Sequence, residues 1–257
     1  MKATLAVDEH HWWYRGRRRV IRAELDRLPL PADARILDAG CGSGRTLVEL
    51  AGYGGEVSGI ELNDDAAELA RRRGLGDVHV GRLEELPWDD GAFDLITCLD
   101  VIEHVPDDVT ALAELRRVAR PGGWLLVTVP AYQALWSRHD EANHHFRRYS
   151  RSMLRGAARS AGWEIERVSS FNSLLLAPAA AVRLAQRRMG ARNGHSNDLD
   201  LGPAWLNDVL ERPLALEASW LARGRTLPAT DRRVLGAFAA WVMRYRLAAC
   251  DPNCPVR

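Results

Sequence analysis

The chain of 257 residues is 47% hydrophobic with a formal net charge of +1, enough apolar material for one substantial core or a core with an appended lobe. A balance this close to neutral gives no global pull toward nucleic acid or a membrane surface. Cys41, Cys98, Cys250 and Cys254 are too few and too scattered for a disulfide framework. No apolar run is long enough to span a bilayer, and "MKATLAVDEHHWWYRGRRR" lacks a signal-peptide core, so a soluble cytoplasmic protein is expected. Cys250 and Cys254 offer half of a metal quartet with no second ligand pair, so no metal is expected there.

"HHWWYRGRRRVIRAELDRL" reads as a helix entering from Asp8. At helical spacing Trp13, Arg17, Ile21, Leu25 and Leu28 share one face. A guanidinium on such a stripe either meets a carboxylate or snorkels to the surface. The run Arg17-Arg18-Arg19 reads as solvated surface rather than an RNA patch.

From Arg35 to Pro130 short apolar runs ("RILDA", "EVSGI", "DVHVG", "FDLITCL", "WLLVTVP") alternate with helical patterns ("RTLVELA", "DDAAELARRR", "DDVTALAELRRVA"). That rhythm indicates a Rossmann-like, doubly wound, mostly parallel α/β sheet. Residues 131–150 are polar and aromatic with weak periodicity, as in a functional loop. Ser150 is placed to cap a helix through about Ala161, and Trp163 to Ser170 reads as a further strand. "FNSLLLAPAAAVRLAQRR" is a long apolar helix candidate, "GARNGHSNDLDLG" a linker, and 204–223 another helix. The tail from Thr230 to about Ala249 reads as a helix, which leaves the position of a seventh strand uncertain. Three segments are expected: an N-terminal helical cap (1–33), an α/β core (34–170), and a helical insertion with an atypical tail (171–257).

"ILDAGCGSG", Ile36 to Gly44, ends an apolar run on Asp38 and then places glycines at 40, 42 and 44. In an open parallel sheet, ligands bind at the carboxyl ends of the strands. Bare glycines there let the main chain turn tightly and approach a ligand. Two ligand classes compete. A dinucleotide site uses G-x-G-x-x-G and would need glycine where Arg45 stands. Glu61, ending the next strand, suits the ribose hydroxyls of either class. The additional acid at Asp38 suits a ligand with a cationic end better than a pyrophosphate.

Taken together, "ILDAGCGSGR", "GIEL", "GRLEELPWDDGAFDLITCLDVIEHV" and "RRVARPGGWLLVTVP" resemble the successive motifs of class I S-adenosylmethionine-dependent methyltransferases, over about residues 9 to 170. The resemblance implies S-adenosyl-L-methionine as cofactor. It sets Asp38 and the loop Gly40, Cys41, Gly42 and Gly44 along the methionine part. It sets Glu61 on the ribose, Leu62 on the adenine, Leu83 at the adenine edge, and Leu99 and Asp100 at the sulfonium and amino end. Arg82 stands where many relatives carry an acid, with Glu84 as a substitute. The N-terminal segment resembles an "HWWF-x-x-R" stretch of some members, which implies Arg17 as a clamp on the cofactor carboxylate and Trp13 or Tyr14 as a lid.

"WSRHDEANHHFRRY" resembles an "HD-x-x-x-GH-x-RRY" segment of relatives, with His145 matching their histidine and His144 standing where glycine is usual. His139 and His145 are the candidates for base or acceptor orientation, with Asp140 available to set a tautomer. Tyr132, Trp136 and Tyr149 join Trp13 and Tyr14 as acceptor-binding candidates. His104 reads as structural or as a rim contact. His139, His144 and His145 fit no common zinc spacing, so no metal is expected. The expected reaction is methyl transfer to a small-molecule acceptor, most simply an oxygen, with a nicotinamide oxidoreductase or a non-catalytic cofactor-binding module as rivals. The apolar helix after 171 suggests a bulky or apolar acceptor, with membrane-surface contact through 172–188 as its alternative. No nucleic-acid partner is expected, and the sequence is silent on oligomeric state.

Overall fold

The computed structural model describes residues 10–74, 76–175, 204–227 and 240–246. The chain forms two compact units, each gathered from several stretches of sequence. One, the sheet unit, comprises Pro29–Val129, His144–Val168 and Val242–Arg257. The other, the helical unit, comprises Met1–Leu28, Pro130–Asn143 and Ser169–Trp241.

The strands are β1 (Arg35–Ala39), β2 (Glu56–Glu61), β3 (Asp77–Val80), β4 (Phe93–Leu99), β5 (Ala119–Pro130), β6 (Glu164–Phe171) and β7 (Ala240–Arg246). They form a seven-stranded sheet in the order β3-β2-β1-β4-β5-β7-β6. The pairs β1–β2, β1–β4, β2–β3 and β4–β5 are parallel. This is the mostly parallel, Rossmann-like sheet that the alternating pattern predicts. Ile36, Leu37, Asp38 and Ala39 are consecutively buried, as expected of a central strand enclosed on both faces. Successive strands run outward from β1 to β3 and then resume on its other side with β4, so the order reverses between β1 and β4. Such a reversal opens a crevice at the carboxyl ends of the strands.

The intervening helices are α2 (Arg45–Leu50), α3 (Asp64–Arg71), α4 (Asp108–Val118) and α6 (Arg151–Ser160). Their starts follow local chemistry. Asn63 accepts from the Ala66 amide at 3.0 Å, Asp107 from Thr110 at 3.0 Å, and Ser150 from Met153 at 3.1 Å.

The seventh strand corrects the helical reading of the tail. Residues 240–246 lie in the sheet between β5 and β6. In "AWVMRYR" Trp241, Met243 and Tyr245 alternate with Val242 and Arg244, too short a pattern to separate helix from strand by itself. Tyr245 is fully buried, with its ring 6.2 Å from that of Trp163, while Arg246 is exposed and lies over the Trp124 ring at 5.6 Å. The rest of the segment read as a helix, 230–239 and 247–249, lies outside the described residues.

In the helical unit, α1 (Trp12–Leu25) packs against α7 (Ala204–Ala222), the helix expected over 204–223. α5 (Arg138–Ala142) also belongs to this unit. His11 caps α1 through Nδ1, and the Trp12 amide donates to Asn207 at 3.0 Å. The two helices approach closely at Gly16, where a Cβ would stand 2.5 Å from Leu214 Cδ1. Arg15 pairs with Asp208 and Glu211 at 3.0 and 2.5 Å, and Arg19 with Glu211 at 2.6 Å, so part of the basic run is spent on α7. Glu217 on α7 is buried and accepts the amides of Asn172 and Leu174, fixing the turn after β6. Burial pushes its carboxyl above the ordinary value despite these donors. Ile21, Leu25 and Leu28 are buried as the stripe predicts, whereas Trp13 and Arg17 are half-buried. The apolar helix candidate from 176 onward, the linker, and most of the 172–188 membrane segment lie outside the described residues.

Candidate active site

The loop after β1 turns at Gly40, Gly42 and Gly44, whose φ angles are +82°, +54° and +77°. At Gly40 a Cβ would stand 2.4 Å from Val101 Cγ2, so the loop is pressed against the chain leaving β4. At Gly42 a Cβ would meet nothing within 4 Å. Bare backbone therefore faces open space there, in a conformation that side chains rarely adopt. The Gly40 and Cys41 amides donate to Ile60 O at 2.8 and 3.0 Å, which ties the loop to β2. Arg45, where a dinucleotide motif needs glycine, begins α2 and pairs with Glu49 at 3.1 Å.

Asp38 lies opposite Thr97 in the sheet register and accepts from Thr97 Oγ1 at 2.6 Å. A charge-assisted bond of this kind contributes about 1.5–3 kcal/mol. Glu61 uses both carboxylate oxygens on main chain: Oε2 accepts from the Gly42 amide at 2.9 Å and Oε1 from the Asn63 amide at 3.0 Å. Each oxygen keeps a second lone-pair site, so the carboxylate can accept from a ligand as well. Burial, followed by the charges of Asp38 and Glu61, pushes the Cys41 thiol far up, so it stays neutral. Its sulfur packs where a Cβ at Gly59 would come within 2.8 Å. Two carboxylates beside a glycine loop favour a cationic ligand end.

Beyond Glu61, Leu62 is 66% exposed, an apolar side chain left uncovered beside the crevice. Leu83 is buried, and Arg82 pairs with Glu84 at 3.5 Å. At the end of β4, Leu99 is buried and Asp100 takes φ +60°. The Asp100 amide donates to Thr128 O at 2.9 Å, and Thr128 Oγ1 donates to Asp100 Oδ1 at 3.0 Å. Asp38, Gly40, Cys41, Gly42, Gly44, Glu61, Leu62, Leu83, Leu99 and Asp100 are thus all held in the sheet unit. Sequence reasoning missed Thr97, Thr128 and Val101. Thr97 and Thr128 read as β-formers, and only pairing register reveals that they orient Asp38 and Asp100.

His144 takes φ +56°, a left-handed backbone conformation that favours glycine. His145 is half-buried, with its ring 4.6 Å from that of His104 and nearly perpendicular to it, at 83°. Tyr149 is 1% exposed, and its hydroxyl donates to Asp108 Oδ2 at 2.6 Å. Burial and then this carboxylate push the phenol above its ordinary value. Arg147 reaches Asp108 at 2.9 Å and Pro106 O at 2.6 Å. Tyr149 and Arg147 together anchor the segment that carries His145.

In the helical unit, Trp13 stacks on Phe171 at 5.9 Å and 16°, and Tyr14 meets the His11 ring edge-on at 6.1 Å. Tyr132 holds φ +61° and ψ 103°, a sparsely populated conformation for an aromatic residue. Trp136 is half-buried at the end of the Gln133–Leu135 turn. Asp140 is buried and accepts from the Ser137 amide and hydroxyl at 2.8 and 3.1 Å. The side chain of His139 is outside the described set. The assignments of Arg17, Trp13 and Tyr14 to the cofactor rest on the sequence.

Residues 37–127, from β1 into β5, match the family model of a methyltransferase domain. The chain is 37% identical over 105 residues to a ubiquinone biosynthesis O-methyltransferase of Thiobacillus denitrificans, covering 38% of this chain and 45% of that protein. It is 32% identical over 158 residues to the protein of the same name from Xanthomonas axonopodis pv. citri, covering 54% and 66%. The chain thus spans less than two thirds of the length of these relatives. Among solved structures, a putative methyltransferase in complex with the Trm112 methyltransferase activator of Haloferax volcanii superposes with a TM-score of 0.60 at 19% identity, covering 95% of this chain and 92% of that one. The fold and the glycine loop with its two acids define a methyltransferase-type α/β domain. Over that domain, residues 37–127, the chain is similar to the methyltransferase-domain family.

Proposed function

We propose that the protein transfers a methyl group from S-adenosyl-L-methionine to an oxygen of a small-molecule acceptor, one with a bulky or apolar body. One observation carries the reading: Glu61, ending β2, is tied to the Gly42 amide after β1, beside open space at the carboxyl ends of these adjacent strands and next to the reversal between β1 and β4. The residues fit the cofactor. An uncovered main-chain surface at Gly42, an acid with spare acceptor capacity at Glu61, a fixed acid at Asp38 and an exposed Leu62 are the donor-poor, acid-rich set that a cationic nucleoside needs. That cofactor supplies an activated methyl carbon whose leaving group is a neutral thioether, so no acid is required on the leaving side.

The chain's own residues bind and orient. Glu61 holds the ribose hydroxyls, Leu62 and Leu83 border the base with Glu84 at its edge, and Asp38 with Asp100 holds the cationic end. Arg17 clamps the cofactor carboxylate, with Trp13 and Tyr14 covering it. His139 or His145 takes the acceptor proton or orients the acceptor, and Tyr132 and Trp136 contact its body. Tyr149 serves indirectly, by anchoring the His145 segment on Asp108. In-line displacement then depends chiefly on alignment and exclusion of water. The oxygen preference is supported by the names of the relatives. A cytoplasmic location is supported by the free, buried Cys41 and Cys98, while among the described residues no helix is long and apolar enough to cross a membrane.

The test is calorimetric titration with S-adenosylmethionine, its demethylated thioether and NADH, followed by turnover on a panel of phenols, hydroxy acids, sugars and lipids. Binding of the first two but not NADH, weakened about 100-fold or more in Glu61→Ala, is expected, since two charge-assisted bonds to a ribose contribute about 3 kcal/mol or more. Absence of heat with both sulfur ligands on folded protein would sink the proposal.

A further inference from the structure

We propose that Glu103, His104 and His145 form a binding site for one borderline divalent cation, with zinc the best-suited occupant. The inference goes beyond methyl transfer and does not depend on it. Each of the three residues offers one ligand atom, and these atoms lie within 4.8 Å of one another. Glu103 and His104 sit on the Ile102–His104 turn that follows β4, and His145 arrives from a segment 41 positions later. All three belong to the sheet unit.

The backbone beneath them is fixed. The Phe146 amide donates to Glu103 O at 2.8 Å, which locks the His145 segment to the turn in one register. Arg147 and Tyr149 hold the same segment to Pro106 and Asp108 a few residues on. The ligands therefore need only side-chain movement to close on a metal. Bound donors stand roughly 2.0–2.2 Å from zinc, hence about 3.4 Å apart in a tetrahedral shell. The present separations are at most 4.8 Å, so small side-chain rotations, the exposed His104 included, close them to that spacing.

The donor set selects the metal. Two imidazoles and a carboxylate suit zinc and its first-row neighbours, whereas magnesium and calcium favour oxygen-only shells. The imidazole rings meet edge to face at 83°, and a nitrogen of each lies within 4.8 Å of the other and of a Glu103 carboxylate oxygen. Glu103 is 1% exposed, His145 half-buried and His104 exposed, so the set opens to solvent on one side and leaves a fourth coordination position accessible. The sequence concealed this site because its ligands come from two motifs that each look complete: "DVIEHV" as a strand exit and "HHFRRY" as a loop.

The experiment uses the full chain, stripped of metal and carrying Cys250→Ser and Cys254→Ser to remove the tail thiols. It is titrated with zinc by calorimetry and with cobalt by visible absorption, with no cofactor present. One equivalent of zinc is expected to bind at low micromolar concentration or tighter, and cobalt to give the intense visible band of a low-coordinate nitrogen–oxygen site. His104→Ala and His145→Ala should each weaken zinc by about tenfold or more and abolish the band. His79→Ala, on β3, should change neither. Glu103→Gln tests the carboxylate, and if this buried change impairs folding, the exposed His104→Ala variant still decides. No binding, or binding unchanged in both histidine variants, overturns the proposal. Because the readout needs no methyl donor, its failure and failure of the methyltransferase reading are separately visible.

Discussion

The loop after β1 and the segment around His145 both need left-handed backbone, and they obtain it in opposite ways. After β1 every such position is glycine: Gly40, Gly42 and Gly44. Elsewhere a positive φ falls on side-chain-bearing residues: Asp100 at +60°, a cofactor candidate after β4, His144 at +56°, next to His145, and, in the helical unit, Tyr132 at +61°. The contrast follows from which atoms meet the ligand. Where main chain itself is the binding surface, a Cβ would collide or intrude. Where a side chain is the working part, strain of roughly 1–3 kcal/mol is tolerated because neighbours over-determine the position. Asp100 has Thr128 on both amide and carboxylate, and the His145 segment has Tyr149 and Arg147 on Asp108.

Four substitutions test that comparison. The largest effect is expected of Gly40→Ala, whose Cβ stands 2.4 Å from Val101 Cγ2 at a φ of +82°. Overpacking and left-handed strain together cost about 3 kcal/mol or more. A melting temperature within error of the parent would contradict the packed loop.

Tyr149→Phe comes next. It removes the 2.6 Å bond to Asp108 and destabilises by about 1–2 kcal/mol at neutral pH, as read by denaturant titration. Its pH dependence has a definite sign. The folded phenol is held neutral above its ordinary value by burial and by Asp108. The parent's advantage is therefore complete below about pH 10, the unfolded value, and shrinks as the pH climbs beyond it. An advantage that grows above pH 10 would reverse the assignment.

The smallest effects on stability distinguish the two regions most sharply. Gly42→Ala meets no atom within 4 Å, so the fold loses only about 1 kcal/mol of left-handed strain while affinity for the methyl donor falls. His144→Gly relieves strain and loosens the unfolded chain by similar amounts, so stability shifts by less than about 1 kcal/mol and donor affinity holds. Calorimetry on both variants checks this, and a donor affinity lost in His144→Gly but retained in Gly42→Ala would break the comparison.

The sheet was legible because its strands are local signals. Apolar runs separated by helical patterns predict β1 to β6, and Ser150 announces the start of α6. The tail misled because "AWVMRYR" is short and apolar, and its state is set by the slot between β5 and β6 rather than by its own period. Asp38, the three glycines and Glu61 were legible because an acid–glycine–acid arrangement at strand ends has few structural uses. The partners that aim them were not, since a threonine in a strand looks like any other.

The sequence by itself determined the parallel sheet, the glycine loop and the acids beside it, because hydrophobic period and bare backbone are properties of neighbouring residues. Only the tertiary structure decided that Tyr245 enters the sheet, that Thr97 holds Asp38, and that His145 meets Glu103 and His104. Those pairings join residues from 41 to 82 positions apart along the chain, counting His104 to His145 and Trp163 to Tyr245. At such separations strand register and loop anchoring, not local preference, bring side chains together.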